Sequence, residues 1–291
     1  MLTAYYDLAI GPVSFDFVVF LIKAKLAAKD GLHVVIVPMK NGVGGMFRDK
    51  THLYDEHEMH WRLWNICIPA CQLINATVTL ATDWDQARKL KTDSVFPEDW
   101  DRQTLKDRRH LIGGVITASR AGSPISLLSA SAQARSKVSE FYAGRKVVTM
   151  TLRSTYLEQR NSDRDAWSEA KAFIEKAGYT VVVLEDTGVA LSKGQGFGEF
   201  NLDIRMAMYQ EAVLNLQANN GAASLCWFSE KPYRMFGAGV PEDEWNGLFV
   251  KQGLPLGETW PWAKHEQKIV YHPATAQKII EEFRSWDGAT S

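Results

Sequence analysis

The alternation of apolar and amphipathic segments is the feature that most constrains the fold of this chain. Short runs rich in β-branched residues, such as LHVVIVP, KVVTMTL and TVVVLED, are separated by longer stretches with helical periodicity. Strands that are apolar on both faces and separated by helices form parallel sheets that helices cover. The same rhythm restarts after Gly144. The sequence therefore predicts an α/β protein built in two halves.

Each half is long enough to form a domain of its own. We expect two Rossmann-like domains, at residues 1–144 and 145–291, with parallel adjacent strands at 147–152 and 180–184 in the second. In the first half GGVITAS indicates a further strand, and Ser123-Pro124 begins a helix that ends near Gly144. After a Trp- and Pro-rich segment, a final helix either stays with the second domain or crosses back to the first.

Composition narrows the class of protein. Of the 291 residues 46% are apolar and 23% are charged, which is typical of a globular chain, and the net charge of -1 disfavours a broad nucleic-acid surface. The sequence shows no membrane span and no signal-peptide pattern, although peripheral membrane association stays open. Three cysteines are too few for a disulfide framework. We therefore expect a cytoplasmic protein.

Two arginines follow the first strand of the second half. Arg153 stands at the carboxyl end of that strand, and Arg160 and Asn161 lie in the loop before the next helix. Guanidinium groups beside a helix N-terminus suit a diphosphate, because the fork supplies paired donors and the helix end adds partial positive charge. Surface ion pairs explain Arg160 equally well, with partners at Glu158, Asp163 or Asp165.

A second polar turn follows a later strand of the same half. Asn219, Asn220 and Gly221 end that strand, and Ser224 follows in the next turn. Backbone N–H groups there would suit phosphate or ribose oxygens. The alternative is an ordinary turn, for which Asn-Gly is a favoured dipeptide.

Together these segments resemble a known group of proteins. The pattern L-R-x-S/T-x-Y, R-N-S, a D-x-R-x-A-x-Y-x-E-A helix and an N-N-G turn resembles bacterial glycosyltransferase-like proteins of surface-polysaccharide loci, which are similar to GT-B fucosyl- and heptosyltransferases. The resemblance is best over residues 147–229 and weaker over 5–75. Gly221-Ala222 replaces the usual Gly-Pro, and Ser154 stands after Arg153, where Glu/Ser is expected. These departures bear on sugar specificity more than on fold.

The resemblance implies an architecture and an activity. Two Rossmann-like domains would face one another across a cleft, the second holding a nucleotide-sugar donor and the first a glycan or lipid-linked acceptor. Transfer would need neither a metal nor a cofactor beyond the nucleotide-sugar substrate. Arg153 and Arg160 would hold the donor diphosphate. The substrate-binding residues that we predict are Arg153, Arg160, Asn161, Asp186, Asn219, Asn220, Gly221 and Ser224.

The general base is expected in the polar passage at residues 39–57, which follows a strand of the first half. An inverting transfer needs a carboxylate or imidazole to take the proton of the acceptor hydroxyl. The candidates are Asp49, His52 and Glu56, in a loop expected to face the 153–161 loop across the cleft. The histidine spacing matches no recognised zinc motif, so a solvated loop is the alternative reading.

Other motifs have simpler explanations. The Asp-Trp-Asp triplets at 83–85 and 99–101 match the Asp-x-Asp motif of metal-dependent transferases, but helix capping explains them. The glycine loops at 42–45 and 194–198 lack the dinucleotide fingerprint, which disfavours an NAD enzyme. Two rival functions stay open: a glycosyltransferase-like binding protein without catalysis, and a nucleotide-sugar epimerase on the same fold.

Overall fold

The structure is a computed structural model, and it divides into two compact units, Met1–Leu127 and Leu128–Ser291. The residues that it describes are 1–37, 56–100, 111–125, 128–154, 161–185, 201–237 and 249–290.

The first unit is built on a parallel sheet. Its described strands are β1 (Leu2–Asp7), β2 (Leu32–Val37), β3 (Ala76–Leu80) and β4 (Val95–Phe96). They lie in the order β3-β2-β1-β4, and every pairing is parallel. β1 and β2 are buried almost throughout because helices cover both faces, as their continuous apolar runs predict.

Helices and one π-helical segment connect these strands. They are α1 (Asp16–Ala27), α2 (Glu56–Arg62), the π-helical Leu63–Cys67, α3 (Ile68–Gln72), α4 (Trp84–Lys89) and α5 (Gly113–Arg120). Asp83 caps α4, accepting a hydrogen bond of 2.7 Å from the backbone N–H of Gln86. This confirms the capping interpretation of the first Asp-Trp-Asp triplet. The strand predicted at GGVITAS is wrong: it forms α5, which buries Val115 and Ile116 on one face.

The second unit contains a larger parallel sheet. Its described strands are β5 (Val147–Thr151), β6 (Thr180–Leu184), β7 (Leu214–Ala218), β8 (Tyr233–Phe236) and β9 (Gln267–Val270). Their order is β6-β5-β7-β8-β9. β5 and β6 pair in parallel, with Val147 opposite Thr180, so the predicted adjacency is confirmed.

Helices cover both faces of this sheet. They are α6 (Ala132–Tyr142), α7 (Arg164–Lys176), α8 (Leu202–Glu211), α9 (Ser224–Trp227) and α10 (Ala276–Thr290). Ile279 and Phe283 of α10 pack with Trp167 and Ile174 of α7 in the core of this unit. The last helix therefore packs in the second unit. Of the two alternatives left open by the sequence, it stays with the second half of the chain.

The chain divides earlier than the boundary expected at residue 145. α6 begins after Ser131, whose hydroxyl accepts the N–H of Ala134, and not at Ser123-Pro124. The Asp203 carboxylate of α8 accepts bonds of 2.7 and 2.6 Å from the N–H and hydroxyl of Ser131. These contacts attach α6 to the second unit. Long-range contacts with α8, which local periodicity does not reveal, place this helix.

Candidate functional site

The strand order of the second unit defines a place for a ligand. From β5 the chain moves to β6 on one side, and it then returns to β7 on the other side. Where strand order reverses in this way, the loops after the two central strands diverge, and open α/β sheets bind ligands in the resulting crevice at their carboxyl edge. Arg153 follows β5, while Asn219 and Asn220 follow β7. The fold thus brings these predicted residues to this crevice between the loops after β5 and β7, which we call the switch point of the second unit.

Arg153 links the two loops directly. Its Nη1 donates to the backbone carbonyl oxygen of Asn219, and the side chain is half-buried. Its backbone N–H donates to Ser162 Oγ at 2.8 Å, and the N–H of Ser162 donates back to the Arg153 carbonyl at 3.0 Å. Ser162, which the sequence analysis did not single out, therefore closes the base of this loop. Arg160, inside the loop, lies outside the described residues.

The Asn-Asn-Gly turn is held by its own side chains. Asn220 is buried; its Nδ2 donates to the Leu152 carbonyl at 3.1 Å and its Oδ1 accepts the N–H of Ala223 at 3.1 Å. The Ser224 hydroxyl donates to the Gly221 carbonyl at 2.8 Å. These bonds connect the end of β5 to the turn after β7, so Asn220 and Ser224 shape the edge of the switch point.

A carboxylate and an arginine meet at the end of β6. Both nitrogens of the Arg164 fork donate to Glu185, each at 2.8 Å. This hydrogen bonding raises the pKa of Arg164, and the two opposite charges offset one another. The sequence alone does not reveal this pair, because its two members are 21 residues apart in the chain. Asn161 is half-buried and precedes the cap of α7, whereas Asp186 lies outside the described residues.

The first unit has a switch point of its own. β2 and β4 flank β1, so the order reverses between β1 and β4. Asp7 ends β1; it is buried and its Oδ1 accepts the N–H of Ala9 at 2.8 Å. Asp16, half-buried in the first turn of α1, accepts a hydrogen bond of 3.1 Å from the Ser14 hydroxyl. Asp16 is thus a carboxylate near the carboxyl edge that the sequence analysis did not consider.

The residues predicted to act as the general base lie largely outside the part of the chain that the structure describes. Asp49 and His52 lie outside the described residues, and so does the loop at 39–55 that was expected to face the 153–161 loop. Glu56 begins α2, but its side chain is also outside the description. Across the described ranges, no group of three or more His, Cys, Asp or Glu side chains is arranged to hold a metal ion. The helices of the described residues include none long and apolar enough to cross a membrane.

Comparison with known proteins gives a likeness in structure. No protein-family model matches the chain, and no curated protein matches it either. The structure is similar to that of Escherichia coli ADP-heptose lps heptosyltransferase II, with a TM-score of 0.52, 11% sequence identity and 99% of each chain covered. A glycosyl transferase family 9 protein from Veillonella parvula matches with a TM-score of 0.48 and 12% identity, covering 98% of this chain and 96% of that one.

The first of these likenesses agrees with the sequence pattern. The similarity to bacterial heptosyltransferases that the motifs indicate is confirmed. At 11% identity the likeness concerns the fold: an α/β chain with two parallel sheets and covering helices.

Proposed function

We propose that this protein is a glycosyltransferase that moves a sugar from a nucleotide-sugar to a glycan or lipid-linked acceptor. The observation that carries the proposal is the switch point of the second unit, where Arg153 bridges the loops after β5 and β7. The fold of a heptosyltransferase and the sequence pattern around Arg153 support it. The two units would face one another across a cleft, with the donor on the second and the acceptor on the first.

The donor diphosphate would bind beside Arg153. The planar guanidinium fork matches the geometry of phosphate oxygens, and the Arg153 side chain lies at the switch point with its Nη1 bound to the Asn219 carbonyl. The nearby Glu185 carboxylate is paired with Arg164 and does not repel an anion strongly. Arg160 and Asn161 would complete the diphosphate contact, and Asp186, Gly221 and Ser224 would line the nucleotide side.

The acceptor would lose its proton to a base of the first unit. As the acceptor oxygen attacks the anomeric carbon, the bond to the diphosphate breaks and negative charge develops on the leaving group. Arg153 and Arg160 would stabilise that charge. Asp49, His52 and Glu56 remain proposed bases, and Asp16 joins them because its carboxylate lies near the switch point of the first sheet.

A ligand screen tests the proposal. ADP-, GDP-, UDP- and CMP-sugars are added separately, and the melting temperature is measured. A ligand at a hundred times its Kd adds about 2.7 kcal/mol of stability to the folded state. The stabilising donor is then incubated with glycan and lipid-linked acceptors, and release of the nucleotide is followed.

The outcomes separate the rival functions. Donor-dependent stabilisation with acceptor-dependent nucleotide release is the expected result. Stabilisation without any turnover would identify a binding protein, and conversion of the donor sugar without acceptor would identify an epimerase. Absence of stabilisation by every donor would contradict nucleotide-sugar binding altogether.

A further inference from the structure

The D-x-R-x-A-x-Y-x-E-A helix divides into two faces in the structure. Asp203 and Glu211 bind α6, through Ser131 and Arg135 respectively. Arg205 is 0% exposed, so its side chain lies entirely inside the unit, and Tyr209 four residues later is equally buried. The hydrogen bonds of this buried pair lead to the strand ends of the sheet and need a separate explanation.

Arg205 reaches the carboxyl edge of the sheet. Its Nε donates to the Tyr209 hydroxyl oxygen at 3.0 Å, and its Nη2 donates to the Glu185 carbonyl oxygen at 3.1 Å. The Tyr209 hydroxyl is also hydrogen bonded to Thr151 Oγ1 at 2.9 Å. Thr151 is the last residue of β5 and Glu185 is the first after β6. The Arg205 guanidinium is therefore linked to the end of β6 directly and to the end of β5 through Tyr209. Thr151, its contact at the end of β5, is two residues before Arg153.

The buried guanidinium of Arg205 has a desolvation cost and a defined set of partners at this edge of the sheet. Taking a guanidinium out of water carries a large desolvation penalty, which its hydrogen bonds must offset. Burial raises the pKa of Tyr209, so this partner stays a neutral hydroxyl and does not cancel the charge of Arg205. Glu185 is held by Arg205 at its backbone and by Arg164 at its carboxylate. Two arginines thus hold the residue that follows β6.

We propose that Arg205 is a positioning residue of the proposed donor site: its buried guanidinium fixes the end of β6 against the end of β5, one of the two strands that form the switch point, and adds positive potential where a nucleoside diphosphate would bind. This inference rests on the proposed function. Lysine would keep the charge but cannot reach two acceptors that lie in the different directions of the Arg205 fork.

The experiment measures nucleoside-diphosphate affinity by calorimetry. ADP, GDP, UDP and CDP are titrated into the wild type, and the tightest binder is titrated into Arg205→Lys, Tyr209→Phe and Arg234→Lys. Arg234 is a matched control: it is also a buried arginine of the second unit, bound to the Glu266 carbonyl and to the Glu282 carboxylate. Melting temperatures are measured for each variant.

We expect Arg205→Lys to raise Kd about tenfold and Tyr209→Phe about threefold, from the loss of hydrogen bonds that order the edge. Arg234→Lys should lower the melting temperature and leave Kd unchanged. Unchanged Kd in Arg205→Lys, or an equal rise in Arg234→Lys, would overturn the inference and leave the proposed function standing. If Arg205→Lys does not fold, unchanged Kd in Tyr209→Phe overturns it. A wild type that binds none of the four diphosphates overturns the proposed function and this inference with it.

Discussion

Replacement of Arg153 by alanine should affect both folding and donor binding. In the folded state its Nη1 donates to the Asn219 carbonyl, which joins the ends of β5 and β7. A hydrogen bond from a charged donor contributes about 1.5–3 kcal/mol, so Arg153→Ala should lower the free energy of unfolding by that amount. From the sequence alone, an exposed loop arginine would leave folding almost unchanged; the contact with Asn219 alters that expectation.

The loss of donor affinity should be of similar size. Charge-assisted bonds to a diphosphate are also worth about 1.5–3 kcal/mol, so Kd should rise about tenfold to a hundredfold in Arg153→Ala. Arg153→Lys should recover only part of this loss, because a point charge lacks the fork. Calorimetric titration of the nucleotide-sugar gives Kd, and thermal denaturation gives the stability of each variant.

Arg145 provides a matched control for this experiment. Its Nε and Nη2 donate to the carbonyls of Tyr142 and Phe141, at 2.9 and 2.6 Å, at the end of α6. Arg145→Ala therefore also removes an arginine that binds backbone carbonyls, and it should leave Kd unchanged. A lowered melting temperature with unchanged Kd in Arg153→Ala would refute the donor-binding role and leave Arg153 a structural residue.

Three further results are expected. Asp16→Asn should lower turnover by about a hundredfold or more while donor affinity is retained, as a general base requires; Asp85→Asn, an exposed carboxylate of α4, is the control, and full activity of Asp16→Asn would exclude Asp16 as the base. Glu282→Ala should destabilise the protein by about 3–5 kcal/mol, because it leaves the buried Arg234 without its carboxylate. Glu281→Ala, at the exposed neighbouring position, should leave stability almost unchanged because a surface ion pair contributes little, and equal losses in thermal denaturation would contradict the role given to burial. Burial raises the pKa of all three cysteine thiols, to about 12 for Cys67. The native protein should therefore resist a thiol reagent that labels all three cysteines after unfolding, and rapid labelling of the native protein would show that a thiol is accessible.

The local elements were predictable because their determinants lie within a few residues. The β-branched runs of β5 and β6 identify two parallel strands. Asp83 and Asp163 are each followed directly by the helix that they cap, α4 and α7 respectively. The place of the proposed donor site follows in part from local determinants as well. Arg153 and the Asn-Asn-Gly turn follow strands, and the carboxyl ends of parallel strands lie at one edge.

Pairings between distant segments were decided by the tertiary structure alone. β8 and β9 are four-residue strands that local periodicity did not reveal. In β8 the charged Arg234 interrupts the apolar pattern, and its buried guanidinium meets the Glu266 carbonyl and Glu282 of α10. The attachment of α6 to α8, and the meeting of Arg205 with Glu185, likewise join residues remote in the chain. Local periodicity records which face of a segment is apolar. It does not record which distant partner satisfies a buried polar group, and that partner determines both the boundary of the second unit and the shape of its candidate site.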